Sequence, residues 1–185
     1  RVRCRHDLPL LKALLSAPRF ASLPLTFYQD CLDPEREMQF SALTVLLDTG
    51  EALLVFRGTD NTLVGWKEDF NLSFLEVVPA QSAALNYTAR LAAARPGPLL
   101  LAGHSKGGNL AVFSASLSPP ELRDRIGAVY SYDSPGFTQR VLSATGYQEL
   151  LPRIRSYVPQ SSVVGMLLEH EEPYTVVKSR HLGIF

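Results

Sequence analysis

Ser105 is the residue in this sequence best placed to do chemistry. It sits in Gly103-His104-Ser105-Lys106-Gly107-Gly108, between the apolar runs Pro98-Leu99-Leu100-Leu101-Ala102 and Asn109-Leu110-Ala111-Val112-Phe113. A serine hydroxyl attacks a carbonyl only when a base takes its proton. It must also project from the end of a sheet toward its target. A tight turn from a buried strand into a buried helix does this, and glycine two places before and two after removes the Cβ atoms that would clash. The helix that follows aims its free N–H groups at a developing oxyanion. The spacing therefore predicts a nucleophile elbow at Ser105, with the Lys106 N–H as one oxyanion donor.

An oxyanion hole needs about two convergent donors. The second comes from Val55-Phe56-Arg57-Gly58-Thr59-Asp60, where a strand runs straight into a glycine turn. Thr59 offers an N–H and a hydroxyl at the end of that strand, which makes it the candidate. The plainer reading of the same residues is a turn with Arg57 in a surface salt bridge. Farther on, Trp66-Lys67-Glu68-Asp69-Phe70-Asn71 carries the only tryptophan.

These residues need elements to position them. The patterning predicts a helix over 8–15 ending near Pro18, strands over 40–47 and 52–56 around the turn Asp48-Thr49-Gly50-Glu51, and a short helix over 62–70. A longer helix is expected over 80–95, with Ala84, Tyr87, Leu91 and Ala94 on one face and Pro96-Gly97-Pro98 as its stop. The elbow strand and helix follow, the helix stopping near Pro119-Pro120. A helical turn over 121–125, strand 126–132, helix 138–144 stopped by Gly146, and strands 154–158 and 174–178 complete the chain. Strands alternating with helices predict an α/β class with a mostly parallel central sheet.

Composition excludes several other functions. Hydrophobic residues make up 46% and charged residues 19%, with a formal net charge of zero, so no nucleic-acid partner is expected. No apolar run approaches the ~20 residues that span a bilayer. The two cysteines, Cys4 and Cys31, make no disulfide framework or zinc spacing, which leans toward free thiols and a cytoplasmic setting while leaving a bridge between them open. The glycines do not space as a phosphate-binding loop, and Glu169 to Glu172 lacks the second histidine of a zinc motif, so no cofactor or metal is expected. The chain starts at Arg1 without a signal-peptide pattern and ends in Leu182-Gly183-Ile184-Phe185. Residues 1–185 thus read as a single domain cut at both ends.

Phe56-Arg57-Gly58-Thr59, the Trp66 helix, Gly103 to Gly108, and Tyr130-Ser131-Tyr132-Asp133-Ser134-Pro135-Gly136, in that order and spacing, resemble the class 3 (fungal-type) lipases. They resemble bacterial lipase-like proteins of unknown function still more, over roughly residues 40 to 185. The resemblance implies an α/β-hydrolase fold, Ser105 as nucleophile, Thr59 in the oxyanion hole, and a lid around Trp66, a residue that equally reads as a packed aromatic. Those lipases place their acid after the next strand, where this sequence has Ser162. A serine has no negative charge to hold an imidazolium. Asp133, at the end of strand 126–132, is the substitute acid; as a turn residue it would only cap backbone groups.

The base is expected to be a histidine after the acid in chain order. Of the four, His6 precedes the fold's strands and His104, beside Ser105, reads as packed. His181 follows the last strand and is favoured over His170, which reads as part of a solvated loop. The bacterial relatives tend to carry Gln-His-Asp just after a step like Gly183-Ile184-Phe185, which leaves a base beyond Phe185 as a third option. The expected activity is that of a serine esterase or lipase-like hydrolase acting on a small-molecule or lipid ester. Ser105, Asp133 and His181 would be catalytic, with Thr59 and Lys106 as oxyanion donors. The rivals are a non-catalytic hydrolase-fold protein that binds a lipid or partner, and an acyltransferase.

Overall fold

Short apolar runs bounded by turn residues make the strands, and the longer 3.6-residue patterns make the helices that cover them. The computed structural model describes residues 7–178. Helices α1 (Asp7–Ser16) and α2 (Pro18–Ala21) lead in; α1 ends just before Pro18, as expected, and Pro18 opens the second helix. Strands β1 (Leu25–Asp33), β2 (Met38–Leu46) and β3 (Ala52–Phe56) follow, then helices α3 (Leu63–Asn71) and α4 (Pro79–Ala94). Next come β4 (Leu99–His104), α5 (Lys106–Leu117), α6 (Pro120–Arg123) and β5 (Ile126–Tyr132). Helices α7 (Gln139–Leu142) and α8 (Thr145–Leu150) and strands β6 (Ile154–Pro159) and β7 (Tyr174–Val177) close the described chain.

The strands form one mixed seven-stranded sheet in sequence order, flanked by helices. β1, β2 and β3 pair antiparallel, and every pairing from β3 to β7 is parallel. The parallel register sets Phe56 beside Gly103, His104 beside Tyr132, and Tyr132 beside Tyr157. The C-terminal ends of β3, β4, β5 and β6 therefore open on one edge of the sheet. That is where an open parallel sheet presents its loops to a ligand.

The core lies between the sheet and its helices. Phe40, Leu54, Phe56, Leu101 and Val129 from the strands meet Tyr87, Leu91, Leu110 and Phe113 from the helices. Phe40, Phe56 and Tyr87 form an aromatic trio with ring centroids 5.8–6.2 Å apart, and the Tyr87 hydroxyl lies 2.8 Å from Thr44 Oγ1. Helix α5 is buried from Lys106 to Ser116, its polar Lys106, Asn109, Ser114 and Ser116 included.

Two elements differ from expectation. β1 is an edge strand with a register shift between Thr26 and Gln29, and Phe27 there has φ 54°. The bulge breaks the period-2 alternation by which a strand is read. Gly146 does not stop a helix; it lies within α8, where an added Cβ would overlap the Ser116 carbonyl of α5. It is a close-packing position between two helices.

Candidate functional site

The turn from β4 into α5 is strained at one residue. Ser105 has φ 56° and ψ −131°, a conformation that non-glycine residues rarely hold. Its N–H donates to the Tyr132 carbonyl at 2.9 Å, which ties the turn to the end of β5. The flanking glycines are required by contact. A Cβ on Gly103 would overlap the Gly107 carbonyl, and one on Gly107 would overlap the Phe56 carbonyl of β3. A Cβ on Gly58 would stand 2.7 Å from the His104 carbonyl and 3.4 Å from Ser105 Cβ, so the turn after β3 packs directly on Ser105.

Thr59 comes next in that turn and is buried. Its hydroxyl donates to Asp69 Oδ1 of α3 at 2.6 Å. Arg57 is exposed and pairs with Asp30 at 3.2 Å and Asp60 at 3.8 Å, so the expected surface salt bridge exists beside the turn. Burial pushes the Asp60 carboxyl up. The Thr62 hydroxyl and N–H and the Arg57 charge outweigh that and hold it below the ordinary aspartate range.

Asp133 follows β5 with φ 50°, and its N–H donates to the Tyr157 carbonyl at 2.8 Å. Its Oδ1 accepts the Ser162 hydroxyl and, at 3.1 Å, the Gly165 N–H. Ser162 Oγ also accepts the Gly165 N–H, at 2.8 Å. Asp133 and Ser162, from two different strand ends, therefore sit side by side, and both of these bonds fall on one carboxylate oxygen.

Lys106 is almost entirely buried. Its ammonium donates to Glu68 Oε2 at 2.8 Å, to Gln39 Oε1 at 2.9 Å and to the Gln39 carbonyl at 2.9 Å. The sequence points to Lys106 only through its backbone N–H. No local signal pointed to the side chain: Leu63, Trp66 and Phe70, which at helical spacing read as an inner face, are exposed, while Gly65 and Glu68 of α3 and Leu72 just after it are buried. Trp66 thus lies half outside the core.

The histidines also depart from expectation. His104 is exposed, not packed. His170 lies in the irregular stretch before β7 with Glu169 and Glu171 exposed beside it, but its own side chain is largely buried. Its Nδ1 lies 3.0 Å from Glu172 Oε1, its Nε2 is buried without a hydrogen-bond partner among the described residues, and Glu172 Oε2 accepts the Tyr147 hydroxyl at 2.6 Å. Burial pushes Glu172 up, but the bonds from His170 and Tyr147 prevail and hold it below the ordinary glutamate range. Burial and the adjacent Glu172 push the Tyr147 phenol up. The backbone that carries His170 lies along Gly136 and Phe137, through a bridge from Phe137 to Glu169. His181, like His6 and Cys4, lies outside the described residues.

The structure thus gathers Thr59, Ser105, Lys106, Asp133 and Ser162 at one sheet edge. It turns His170 toward Glu172. A cavity of about 220 Å³ lies elsewhere, lined by Phe27, Tyr28, Gln29, Tyr87 and Arg90 beside the β1 bulge. No group of three or more metal-ligating side chains occurs among the described residues, and none of their helices is long and apolar enough to cross a membrane.

No curated protein matches the sequence. Among solved structures, the Rhizomucor miehei lipase propeptide complex superposes with a TM-score of 0.64 at 15% identity, over 95% of this chain and 64% of that one. M37 lipase gives 0.55 at 14% identity over 85% and 60%. A triacylglycerol lipase from Penicillium expansum gives 0.51 at 12% identity over 83% and 70%. At such identity the likeness is one of fold, and the chain spans less than two thirds of the first two of these structures, at 64% and 60% of their lengths. The sequence profile of one family, described as Mbeg1-like, fits residues 14–185. With that profile covering nearly the whole sequence on a lipase-like fold, the chain belongs to the Mbeg1-like family.

Proposed function

We propose that this chain is a serine hydrolase of the α/β-hydrolase fold, a single domain over residues 1–185, that cleaves a carboxylic ester through an acyl-enzyme on Ser105. The observation that carries the reading is the backbone of Ser105, strained at φ 56° and ψ −131° between β4 and α5. Strain of this kind costs roughly 1–3 kcal/mol and persists where the surroundings impose it, commonly at active sites. Here glycines at 103, 107 and 58 accommodate it. The α5 N-terminus supplies the Lys106 N–H, and the packed turn after β3 supplies Thr59, as oxyanion donors.

In this mechanism a histidine takes the Ser105 proton as Oγ bonds to the ester carbonyl carbon, and returns it to the leaving alcohol. Water then releases the acyl group by the same steps. Asp133 is the acid. It lies against Ser162, the position where the resemblance expects a carboxylate, and its Oδ2 is the oxygen for the imidazole N–H. His181 is the base. The class of ester, with an apolar acyl chain, follows the lipase-like fold relationship and is an analogy.

A fluorophosphonate probe tests the reading. Wild type should label and Ser105→Ala should not, both folded by circular dichroism; equal labelling of the two refutes a Ser105 nucleophile. His181→Gln should abolish labelling as well, and full labelling would move the base elsewhere. A second reading, a non-catalytic binding protein on the same scaffold, is favoured by one observation: His170 is engaged by Glu172 instead of being offered to Ser105. A folded wild type that never labels would establish it.

A further inference from the structure

Helix α3 beside the Ser105 site is inside out. Its outward face carries Leu63, Trp66 and Phe70, exposed at 74%, 47% and 68%, while Glu68 faces inward with no exposure at all. Glu68 holds three elements at once. Its Oε2 accepts the Gln39 N–H of β2 at 3.0 Å and the Lys106 ammonium of α5 at 2.8 Å, and its Oε1 accepts the Ala80 N–H at the start of α4 at 2.8 Å. Asp69 receives the Thr59 hydroxyl at 2.6 Å, and Asn71 donates to Glu37 Oε2 at 2.9 Å.

We propose that α3 is a fixed wall of the Ser105 site, anchored by Glu68, and that the site takes esters dissolved singly in water without a lipid–water interface to open it. The substrate half of this inference rests on the hydrolase reading; the mechanical half does not. Lifting α3 would strip the Lys106 ammonium of its counter-charge next to Ser105, and would orphan two buried backbone N–H groups. Removing one partner from a buried ion pair is strongly destabilising because the other charge stays buried. A hinged cover must also hide an apolar face against the site when shut. The apolar face of α3 is already outward, and its inward face is committed to charge and hydrogen bonds.

Hydrogen exchange of the α3 amides, followed by mass spectrometry, tests the anchor without any need for turnover. In wild type, exchange should be slow and should agree within about threefold between plain buffer and dodecyl maltoside micelles, as for a segment with one dominant conformation. In Glu68→Gln the same amides should exchange about 100-fold faster while β4 and β5 change by less than about tenfold, since loss of the anchor frees α3 without unfolding the sheet. Micelle-induced exchange of α3 in wild type overturns the fixed wall, and so does an unchanged α3 in Glu68→Gln. If that variant fails to fold, the wild-type comparison still decides. For the substrate class, the initial rate on p-nitrophenyl butyrate should rise smoothly through its solubility limit, and a jump there overturns that half. Absence of any turnover would refute the hydrolase reading and leave the exchange result standing.

Discussion

Gly107 shows how little latitude the turn at Ser105 has. Its missing Cβ leaves room for the Phe56 carbonyl, which belongs to the neighbouring strand and cannot withdraw without parting β3 from β4. Gly107→Ala should therefore cost at least about 3 kcal/mol in urea unfolding, at the severe end for overpacking against rigid backbone. A loss below about 1 kcal/mol would mean that the backbone yields there. Asp133 separates catalysis from architecture. An asparagine Oδ1 still accepts the Ser162 hydroxyl and the Gly165 N–H, so Asp133→Asn should keep most of the stability. As triad acid, its loss should slow fluorophosphonate labelling by at least about 100-fold, in line with the penalty for a misheld imidazole. Unchanged labelling would reduce Asp133 to a cap on the loop after β6.

Among the elements, α3 depends on its first turn. Thr62 Oγ1 accepts the Gly65 N–H at 3.1 Å and is itself held by Asp60. Thr62→Ala should lower stability by about 1 kcal/mol, the usual value of such a cap, and thermal melts check it. Elements whose apolar pattern matches their burial were legible in the sequence: β3, β4, β5 and β6 fall within two residues of where their apolar runs place them. β1 was not, because its bulge breaks the alternation and its side chains are mostly exposed. The Gly103 to Gly108 turn could be read because each of its constraints is local and needs a particular residue type. The Lys106–Glu68 pair could not, because 38 residues separate its members and a charged pair in sequence ordinarily reads as surface. The burial of His170 is hidden in the same way: its three acidic neighbours in sequence point to solvent, yet Glu172 binds it and is itself bound by Tyr147.

At the scale of the whole molecule, the connection from β6 to β7 is held to the helical layer by one buried polar cluster. Tyr147 of α8 donates to Glu172, Glu172 engages His170, and the backbone of Glu169 pairs with Phe137. β7 itself is exposed along its length. The carboxyl of Glu172 lies below its ordinary value of 4.5 in the folded protein and returns to that value on unfolding. A depressed folded value means that the unfolded chain takes up the proton first as acid is added. The contribution of Glu172 is therefore complete above the unfolded value, and it drains away as pH falls toward the lower folded one. Glu172→Gln has no such proton to take up. The variant should be less stable than wild type at pH 5.5, and the gap should narrow at pH 3 as wild type loses the charge that distinguishes it. Paired urea titrations at the two pH values measure that difference directly. A gap that stays constant would place the value of Glu172 in shape and hydrogen bonding alone. A narrowing gap would make this cluster an acid-labile fastening of the sheet's far edge.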